Sequence, residues 1–285
     1  MKRILLILSA AAIVAACGPS KSVVMQQQRA LADEHFAAGR YAEAAEIYTQ
    51  LIAKGQVPDS ALNHHIALSG YHTRNYDVAV QYGTQYFASY PTAEVARMLE
   101  DVYLQTSRPA QALALMDHVA APALYGSDYA SHKALLCLDH APERLSTFYD
   151  SIDVAVVRSK CFDKYFAQVG KTKTEAELKA ICKSALTDNP MQRSALEYLS
   201  VGTFTQAEAR YKAAMAEYEK KKNATTYAYL RRDLKRISAD YREAQAGFEK
   251  LRTIDPDNKN YIKYLITIYS RLDRDDKAKQ LKKLL

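Results

Sequence analysis

The sequence predicts an all-α protein, an α-solenoid of stacked helical hairpins, and three observations support this prediction. The 285-residue chain has nine Gly and eight Pro, about half their average share, so we expect long elements and few turns. Apolar residues recur three and four positions apart in most segments, which is the period of a helix face. Small residues return regularly: Ala44 to Ala79 spans 35 residues, Ala79 to Ala112 spans 33 and Ala244 to Ala278 spans 34.

The composition is that of an ordinary globular protein, with 48% hydrophobic and 25% charged residues. Disordered, collagen-like and low-complexity classes are therefore excluded. A dinucleotide-binding fold would need more Gly at its phosphate-binding turns. The chain contains no GxGxxG, phosphate-binding loop or GxSxG motif, so no familiar catalytic signature is present.

The N-terminal 16 residues have the pattern of a secretory signal peptide. Lys2 and Arg3 provide the positive start, and the uncharged stretch 4–16 follows. This stretch is shorter than the roughly 20 apolar residues that a membrane-spanning helix needs. Val14-Ala15-Ala16-Cys17 resembles the bacterial lipobox, in which the Cys is lipidated and becomes the mature N-terminus. The alternative interpretation is an ordinary signal peptide.

The lipobox resemblance implies that residues 17–23 are a lipidated Cys followed by a short tether. Several acyl chains on Cys17 would give stable membrane attachment where one chain is marginal. Gly18 follows the Cys, and by the same resemblance the absence of Asp there favours the outer membrane, with the domain facing the periplasm. If the source is Gram-positive, the anchor lies in the cell membrane.

Sixteen helices are expected in the mature chain. Thr174 with Glu177, and Thr205 with Glu208, read as capping boxes. Pro109 and Pro190 lie near expected first turns. The expected ranges are 24–38, 41–54, 60–74, 76–89, 92–106, 109–119, 128–139, 142–151, 153–170, 174–187, 190–201, 205–222, 224–238, 241–254, 258–272 and 275–284.

Four stretches share a turn, usually an aromatic residue, and then a small residue three positions later. They read GRYAEAAEIYTQL (39–51), RNYDVAVQYGTQYF (74–87), DYREAQAGFEKL (240–251) and RDDKAKQL (274–281). This pattern resembles the tetratricopeptide repeat, a 34-residue helix-turn-helix unit. The resemblance implies a right-handed superhelix in which small residues lie at close helix crossings. Proline is expected to end second helices, at Pro91, Pro190 and Pro256.

The resemblance divides the mature chain into three parts. Residues 24–120 are expected to be N-terminal repeats, 121–189 irregular helical hairpins, and 190–285 basic C-terminal repeats. Such repeats are binding scaffolds. We therefore expect a non-enzymatic lipoprotein that binds other proteins of an envelope complex.

Carrying the family's groove positions onto the expected first helices gives a set of candidate protein-binding residues. An extended peptide, helix or loop of a partner would lie across them. They are Arg29, Asp33, Phe36, His64, Tyr71, His72, Arg97, Asp101, Gln105, Tyr229, Asp233, Arg236, Lys263, Thr267 and Arg271.

The charge of the chain is concentrated at its C-terminal end. Residues 205–285 carry 20 Lys and Arg against 12 Asp and Glu, whereas residues 17–204 carry 17 against 20. Lys221, Arg231, Lys235 and Arg236 are the candidate basic patch, for an acidic partner or an anionic lipid surface. The alternative is a solvated helix face, and nucleic acid is not an expected partner outside the cytoplasm.

No metal site or cofactor is expected. The seven His lie between residues 35 and 140 without an HExxH-like arrangement of ligands. Cys137, Cys161 and Cys182 remain after lipidation of Cys17, and three Cys allow at most one disulfide within the chain.

Two further hypotheses remain open. The chain also resembles, loosely, the repeat-bearing lipoprotein of the outer-membrane β-barrel assembly machinery, and an accessory of a secretion system is equally compatible. The hypothesis of another class is an enzyme or solute-binding lipoprotein that uses residues 121–189. Periplasmic solute-binding proteins are α/β, and the lack of strand-like segments argues against them.

The lipobox generates the first testable prediction. Replacing Cys17 with Ser removes the thiol that would be acylated, so the protein should leave the membrane fraction and lose palmitate labelling. A Cys17→Ser protein that still labels with palmitate and sediments with membranes would contradict the lipoprotein hypothesis.

Overall fold

The computed structural model describes residues 20–285, and within them it contains fourteen α-helices and no strand. The predicted all-α class of tetratricopeptide-like helical hairpins is confirmed. The helices form two compact units, one ending at Gly126 and the other comprising Ser127–Leu285. The predicted signal peptide and Cys17 lie outside the described residues. The expected three-part division of the repeats stays a prediction.

Unit 1 is a stack of helical hairpins. Each odd-numbered helix from α1 to α5 packs on the helix that follows it, and the first helices α1, α3 and α5 also contact one another in turn. The helices are α1 (Lys21–Ala37), α2 (Tyr41–Ala53), α3 (Ser60–His72), α4 (Tyr76–Ser89), α5 (Ala93–Gln105), α6 (Pro109–Met116) and α7 (Ala121–Tyr125).

The turn inside the regular hairpins has one recurrent backbone geometry. A residue in the left-handed region ends the first helix, and the next backbone N–H donates to the carbonyl five residues earlier, at 2.7–2.9 Å. This hydrogen bond is the signature of the Schellman motif. The left-handed residues are Gly39, Arg74 and Ser107 in unit 1 and Asp273 in unit 2, with φ of 72°, 59°, 56° and 58°.

Each of these turns precedes a buried small residue by five positions. Ala44, Ala79, Ala112 and Ala278 follow these four turns, whereas Ala244 lies inside the continuous helix α12. All five are at most 2% exposed, which confirms the predicted burial of Ala44, Ala79, Ala244 and Ala278. The approach of the paired helices is close: a Cβ added to Gly70 of α3 would lie 3.0 Å from the Ala79 nitrogen of α4. Larger side chains at these positions would push the paired helices apart.

Unit 2 contains the longest helices. Its main core joins α11, α12, α13 and α14 around buried residues such as Tyr241, Phe248, Leu265 and Ile268. The helices are α8 (Tyr129–His140), α9 (Ala155–Val169), α10 (Glu175–Asp188), α11 (Arg193–Lys220), α12 (Ala224–Ile254), α13 (Lys259–Arg271) and α14 (Asp275–Lys282).

The predicted breaks at residues 202–204 and 239–240 are wrong, because α11 and α12 are each continuous. The apolar period simply runs on: Ile237, Tyr241 and Ala244 of α12 are buried in one core with Ala207 of α11. The predicted capping box of Thr205 and Glu208 is therefore also wrong. Glu208 lies inside α11, where its carboxylate accepts a hydrogen bond from the Tyr241 hydroxyl at 2.6 Å.

The segment 142–151, predicted as an α-helix, consists of two 3₁₀ segments, Pro142–Thr147 and Tyr149–Ser151. The hydroxyls of Thr147 and Ser151 donate to carbonyls three residues earlier, at 2.7 and 2.6 Å, in the tighter 3₁₀ spacing. The Thr174–Glu177 capping box is confirmed. Pro109 is in the first turn of α6 as predicted, whereas Pro190 precedes α11 by three residues.

The crossing of α11 and α12 generates the second prediction. Replacing Ala244, which is 0% exposed, with Leu should overpack the crossing and destabilise the protein by about 1–3 kcal/mol. Thermal unfolding followed by circular dichroism measures the loss. Ala239→Leu, on an exposed position of the same helix, is the matched control, and an equal midpoint for both variants would show that Ala244 does not lie at a tight crossing.

Candidate functional site

The candidate site in unit 1 is the surface formed by α1, α3 and α5, which we call the first-helix face. The register of the repeat predicted nine binding residues there, and the structure places all nine on these three helices, each in contact with another residue of the unit. They are Arg29, Asp33, Phe36, His64, Tyr71, His72, Arg97, Asp101 and Gln105.

Polar and aromatic contacts join α1 to α3. Arg29 makes a bidentate pair with Asp59, the N-cap of α3, at 2.6 and 2.9 Å. Asp33 accepts a hydrogen bond from the Tyr48 hydroxyl at 2.7 Å and lies 2.9 Å from Nδ1 of His65. The ring of Phe36 stacks on His65 with centroids 4.2 Å apart. These contacts fix the register of one hairpin on the next.

The electrostatics of this junction follow from the pairing. The Arg29 guanidinium and the Leu62 backbone N–H lower the pKa of Asp59, and the hydrogen bond to Asp59 raises the pKa of Arg29. Burial, and then the hydrogen bond to Asp33, raise the pKa of Tyr48. Its phenol therefore stays protonated and donates to the Asp33 carboxylate.

A second set of contacts joins α3 to α5. The Tyr71 hydroxyl donates to Asp101 at 2.9 Å, and the Gln105 amide donates to the same carboxylate at 2.6 Å. Nε2 of His64 lies 3.0 Å from Glu94. The hydrogen bond to Asp101 raises the pKa of Tyr71, ahead of burial.

Some side chains of the first-helix face make internal contacts and still remain accessible to a partner. His72 stacks on Tyr41 with centroids 3.9 Å apart, and Arg97 lies 5.7 Å from the centre of the Tyr125 ring. The side chains of His72, Arg97 and Gln105 are nonetheless exposed. A partner would meet a row of aromatic rings, cations and hydrogen-bonding groups, already held in position by the hairpin stack.

The predicted groove residues of unit 2 fall on two different elements. Lys263, Thr267 and Arg271 lie on α13, and Lys263 is exposed. Tyr229, Asp233 and Arg236 were assigned to a separate first helix, an assignment that the continuity of α12 corrects. They lie on the half of α12 before Ile237.

Arg271 is held by an internal carboxylate. Its guanidinium donates to both oxygens of Glu208, at 2.9 and 3.3 Å, and lies 4.0 Å from the centre of the Tyr211 ring. The hydrogen bond from Arg271 lowers the pKa of Glu208 against its partial burial. Arg271 therefore joins α13 to α11.

Residues 212–236, the turn and flanking helices of the α11–α12 hairpin, form what we call the arm. It contains the whole predicted basic patch, Lys221, Arg231, Lys235 and Arg236, and all four side chains are exposed. A shallow groove of about 630 Å³ runs between the two helices, with Ala213, Ala214 and Ile237 along it and Arg210, Glu217, Asp233 and Arg236 at its edges.

Sequence reasoning missed a second groove, of about 720 Å³, in unit 2. Helices α9, α10 and α11 supply its apolar part, Phe166, Leu178, Tyr198 and Val201, and Glu175 and Lys179 lie at its edge. Its residues come from three helices that are separate in sequence. The sequence could place each residue on one face of its own helix, but it could not show that the three faces meet.

The candidate metal ligands and nucleophiles within residues 20–285 include His, Cys, Asp and Glu side chains. No group of three or more His, Cys, Asp or Glu there is arranged to hold a metal ion. Cys137, Cys161 and Cys182 are all buried. Burial raises the pKa of Cys161 to about 11 and that of Cys182 to about 12, so both thiols stay protonated and are weak nucleophiles.

In the part of the chain that the structure covers, none of the helices has the length and hydrophobicity required to cross a bilayer.

The hairpins, their recurrent turns and their buried small residues define a tetratricopeptide-like helical-repeat protein. Residues 21–120, which contain α1–α6, match the family model of intraflagellar transport protein 56, a family of tetratricopeptide type. No curated protein sequence matches the chain.

The solved structures that the chain resembles include repeat proteins at low identity. A TPR repeats protein from Bacteroides fragilis is 13% identical, with 86% of this chain and 98% of that chain covered and a TM-score of 0.36. The C-terminal part of a TPR repeat-containing protein from Cytophaga hutchinsonii is 16% identical, covering 82% and 98%, with a TM-score of 0.34. Yeast Tom70 is 12% identical, covering 92% and 68%, with a TM-score of 0.34.

The Glu208–Arg271 pair generates a prediction about pH. The folded-state pKa of Glu208 is depressed, so its stabilisation is present above its ordinary pKa and is lost as the pH falls through the folded value. Glu208→Gln should cost about 1–2 kcal/mol at pH 7, and the difference from the parent should shrink toward pH 3. Urea unfolding at both pH values measures it.

The matched control is Glu243→Gln, on an exposed position of α12. It should leave stability nearly unchanged at both pH values. A Glu208→Gln cost that is the same at pH 3 as at pH 7 would show that the charge of Glu208 does not contribute.

Proposed function

We propose that the protein is a membrane-anchored periplasmic lipoprotein that acts as a non-enzymatic scaffold in an envelope complex. The tetratricopeptide-like fold is that of a protein-interaction scaffold. The observation that carries the binding role is the first-helix face, where three successive first helices present polar and aromatic side chains.

The mechanism we propose is binding to a preformed surface. Contacts such as Arg29–Asp59 and Tyr71–Asp101 hold the first helices in register before a partner arrives. Because these side chains are already ordered, a partner would not have to bear the entropy cost of ordering them. His72, Arg97 and Gln105 supply stacking, charge and amide hydrogen bonds at exposed positions.

The proposed anchor rests on the lipobox ending at Cys17. Helix α1 begins at Lys21, so the chain from Cys17 to this helix spans at most about 14 Å when fully extended, at roughly 3.5 Å per residue. A lipid on Cys17 would therefore hold α1 close to the membrane surface. A partner of the first-helix face would then be a membrane protein or a protein that works beside the membrane.

Capture of the partner tests the proposal. The wild-type lipidated protein should crosslink in intact cells to a defined envelope protein. The triple variant His72→Ala, Arg97→Ala and Gln105→Ala should lose at least nine-tenths of that product, since all three side chains are exposed on one face. Crosslinking followed by mass spectrometry measures both.

The control carries substitutions on the second helix of a hairpin. Gln81 and Gln85 of α4 are also exposed, and their replacement by Ala should leave the product intact. Equal loss in both variants, or no loss in the triple variant, would contradict binding through the first-helix face.

A further inference from the structure

The arm differs from the rest of unit 2 in the contacts that its residues make. Among residues 20–285, the recorded hydrogen bonds, ion pairs and ring contacts of residues 212–236 are all made within the α11–α12 hairpin, such as Tyr218 against Tyr227. Leu230 and Ile237 of α12 are buried, and Ile237 lies along the groove beside Ala213 and Ala214 of α11. The outer surfaces of the arm are therefore open to solvent.

Charge on the arm is strongly unbalanced. Residues 212–236 contain eight Lys and Arg and three Asp and Glu. The three acids are neutralised locally: Glu217 pairs with Lys220 at 3.1 Å, Glu219 with Lys222 at 2.6 Å and Asp233 with Arg232 at 3.5 Å. Within the described part of the chain, the remaining five basic residues have no recorded ion pair: Lys212, Lys221, Arg231, Lys235 and Arg236.

One side of α12 carries two of these five residues, Arg231 and Lys235, in line with Arg242 beyond the arm. At 100° per residue, positions 231, 235 and 242 fall within about 40° of one another and about 100° or more from the buried Leu230 and Ile237. Positions 227 and 238 lie at the edge of this side that is nearer to the buried residues. Tyr227, Arg231, Lys235 and Arg242 are exposed there, with Ala228 and Ala239 beside them. Asp233, Asp240 and Glu243 fall on the other sides of the helix, so this side carries no acid. We call it the basic stripe.

The basic stripe has the properties of a surface that binds to a flat, negatively charged surface. From Tyr227 to Arg242 it extends about 22 Å along a helix, at 1.5 Å per residue. Its spacers are small, and Tyr227, 51% exposed, is its one large aromatic residue. A protein partner is usually bound through several large side chains that insert into pockets. A row of cations with a Tyr at one end is instead suited to lipid headgroups.

We propose that the basic stripe of α12 binds the anionic phospholipid headgroups of a membrane surface. Attraction of this kind falls off over a Debye length of about 8 Å at physiological salt, so it acts only when the arm lies at the bilayer. The proposal is independent of acylation at Cys17, because it concerns residues of α12 alone.

Vesicle co-sedimentation with the unlipidated chain 20–285, which contains both units, tests the proposal. Vesicles of phosphatidylcholine with one-third phosphatidylglycerol should bind the chain, and vesicles of phosphatidylcholine alone should not. Binding should fall at 0.5 M salt. The double variant Arg231→Gln and Lys235→Gln should bind about 25-fold more weakly, at about five-fold for each basic residue removed.

The control removes the same charge elsewhere. Lys282→Gln with Lys283→Gln, at exposed C-terminal positions, should stay within about two-fold of the parent, and circular dichroism should be equal for all three proteins. Equal losses in the two double variants would overturn the proposal, because net charge alone would then explain binding. Binding to polyglutamate without binding to anionic vesicles would also overturn it and would identify an acidic polypeptide as the partner class.

Discussion

The close approach of two helices at a small residue is the constraint on which the other features depend. A left-handed turn residue such as Arg74 reverses the chain, and five residues later Ala79 allows the second helix to pack near the backbone of Gly70. The same geometry recurs at Ala44, Ala112 and Ala278, although the turn residues are Gly, Ser and Asp. Because each hairpin closes in the same way, successive first helices lie at a similar spacing, and their side chains can meet.

The small-residue register was readable from sequence because it depends on local contacts within one hairpin. The long helices α11 and α12 were not predicted. The Thr205–Glu208 pattern reads as a helix start, although α11 is continuous there, and α12 continues through the break predicted at 239–240. Ala239 and Asp240 are neither Gly nor Pro, and the apolar period continues through Ile237 and Tyr241. Gly202 favoured a break, yet it stands inside α11, where packing on α12 outweighs its low helix propensity.

The candidate site was only half predictable, for a related reason. Repeat register placed Asp33, Tyr71 and Asp101 on the first-helix face, but which side chains contact one another depends on how the hairpins stack. Asp33 lies against His65, and Tyr71 donates to Asp101. The pairing gives these residues a double role. A partner that draws Asp101 away from Tyr71 would weaken the link between α3 and α5, so its affinity would include the free energy of that link. Substitutions there will change stability and binding together, whereas His72, Arg97 and Gln105 separate the two effects.

The antiparallel pairing within the α11–α12 hairpin has a consequence for how the protein can change over evolution. Ser200 contacts Gly247, Glu208 contacts Tyr241 and Tyr218 contacts Tyr227, so each contact joins positions at similar distances from the turn. Removing seven residues, about two helical turns, from both helices would shorten the arm while the facing residues kept their partners. The core around Phe248 and Leu265 lies beyond that change. Paired insertions or deletions in α11 and α12 could therefore change the length of the arm while the fold of the rest of unit 2 stays the same.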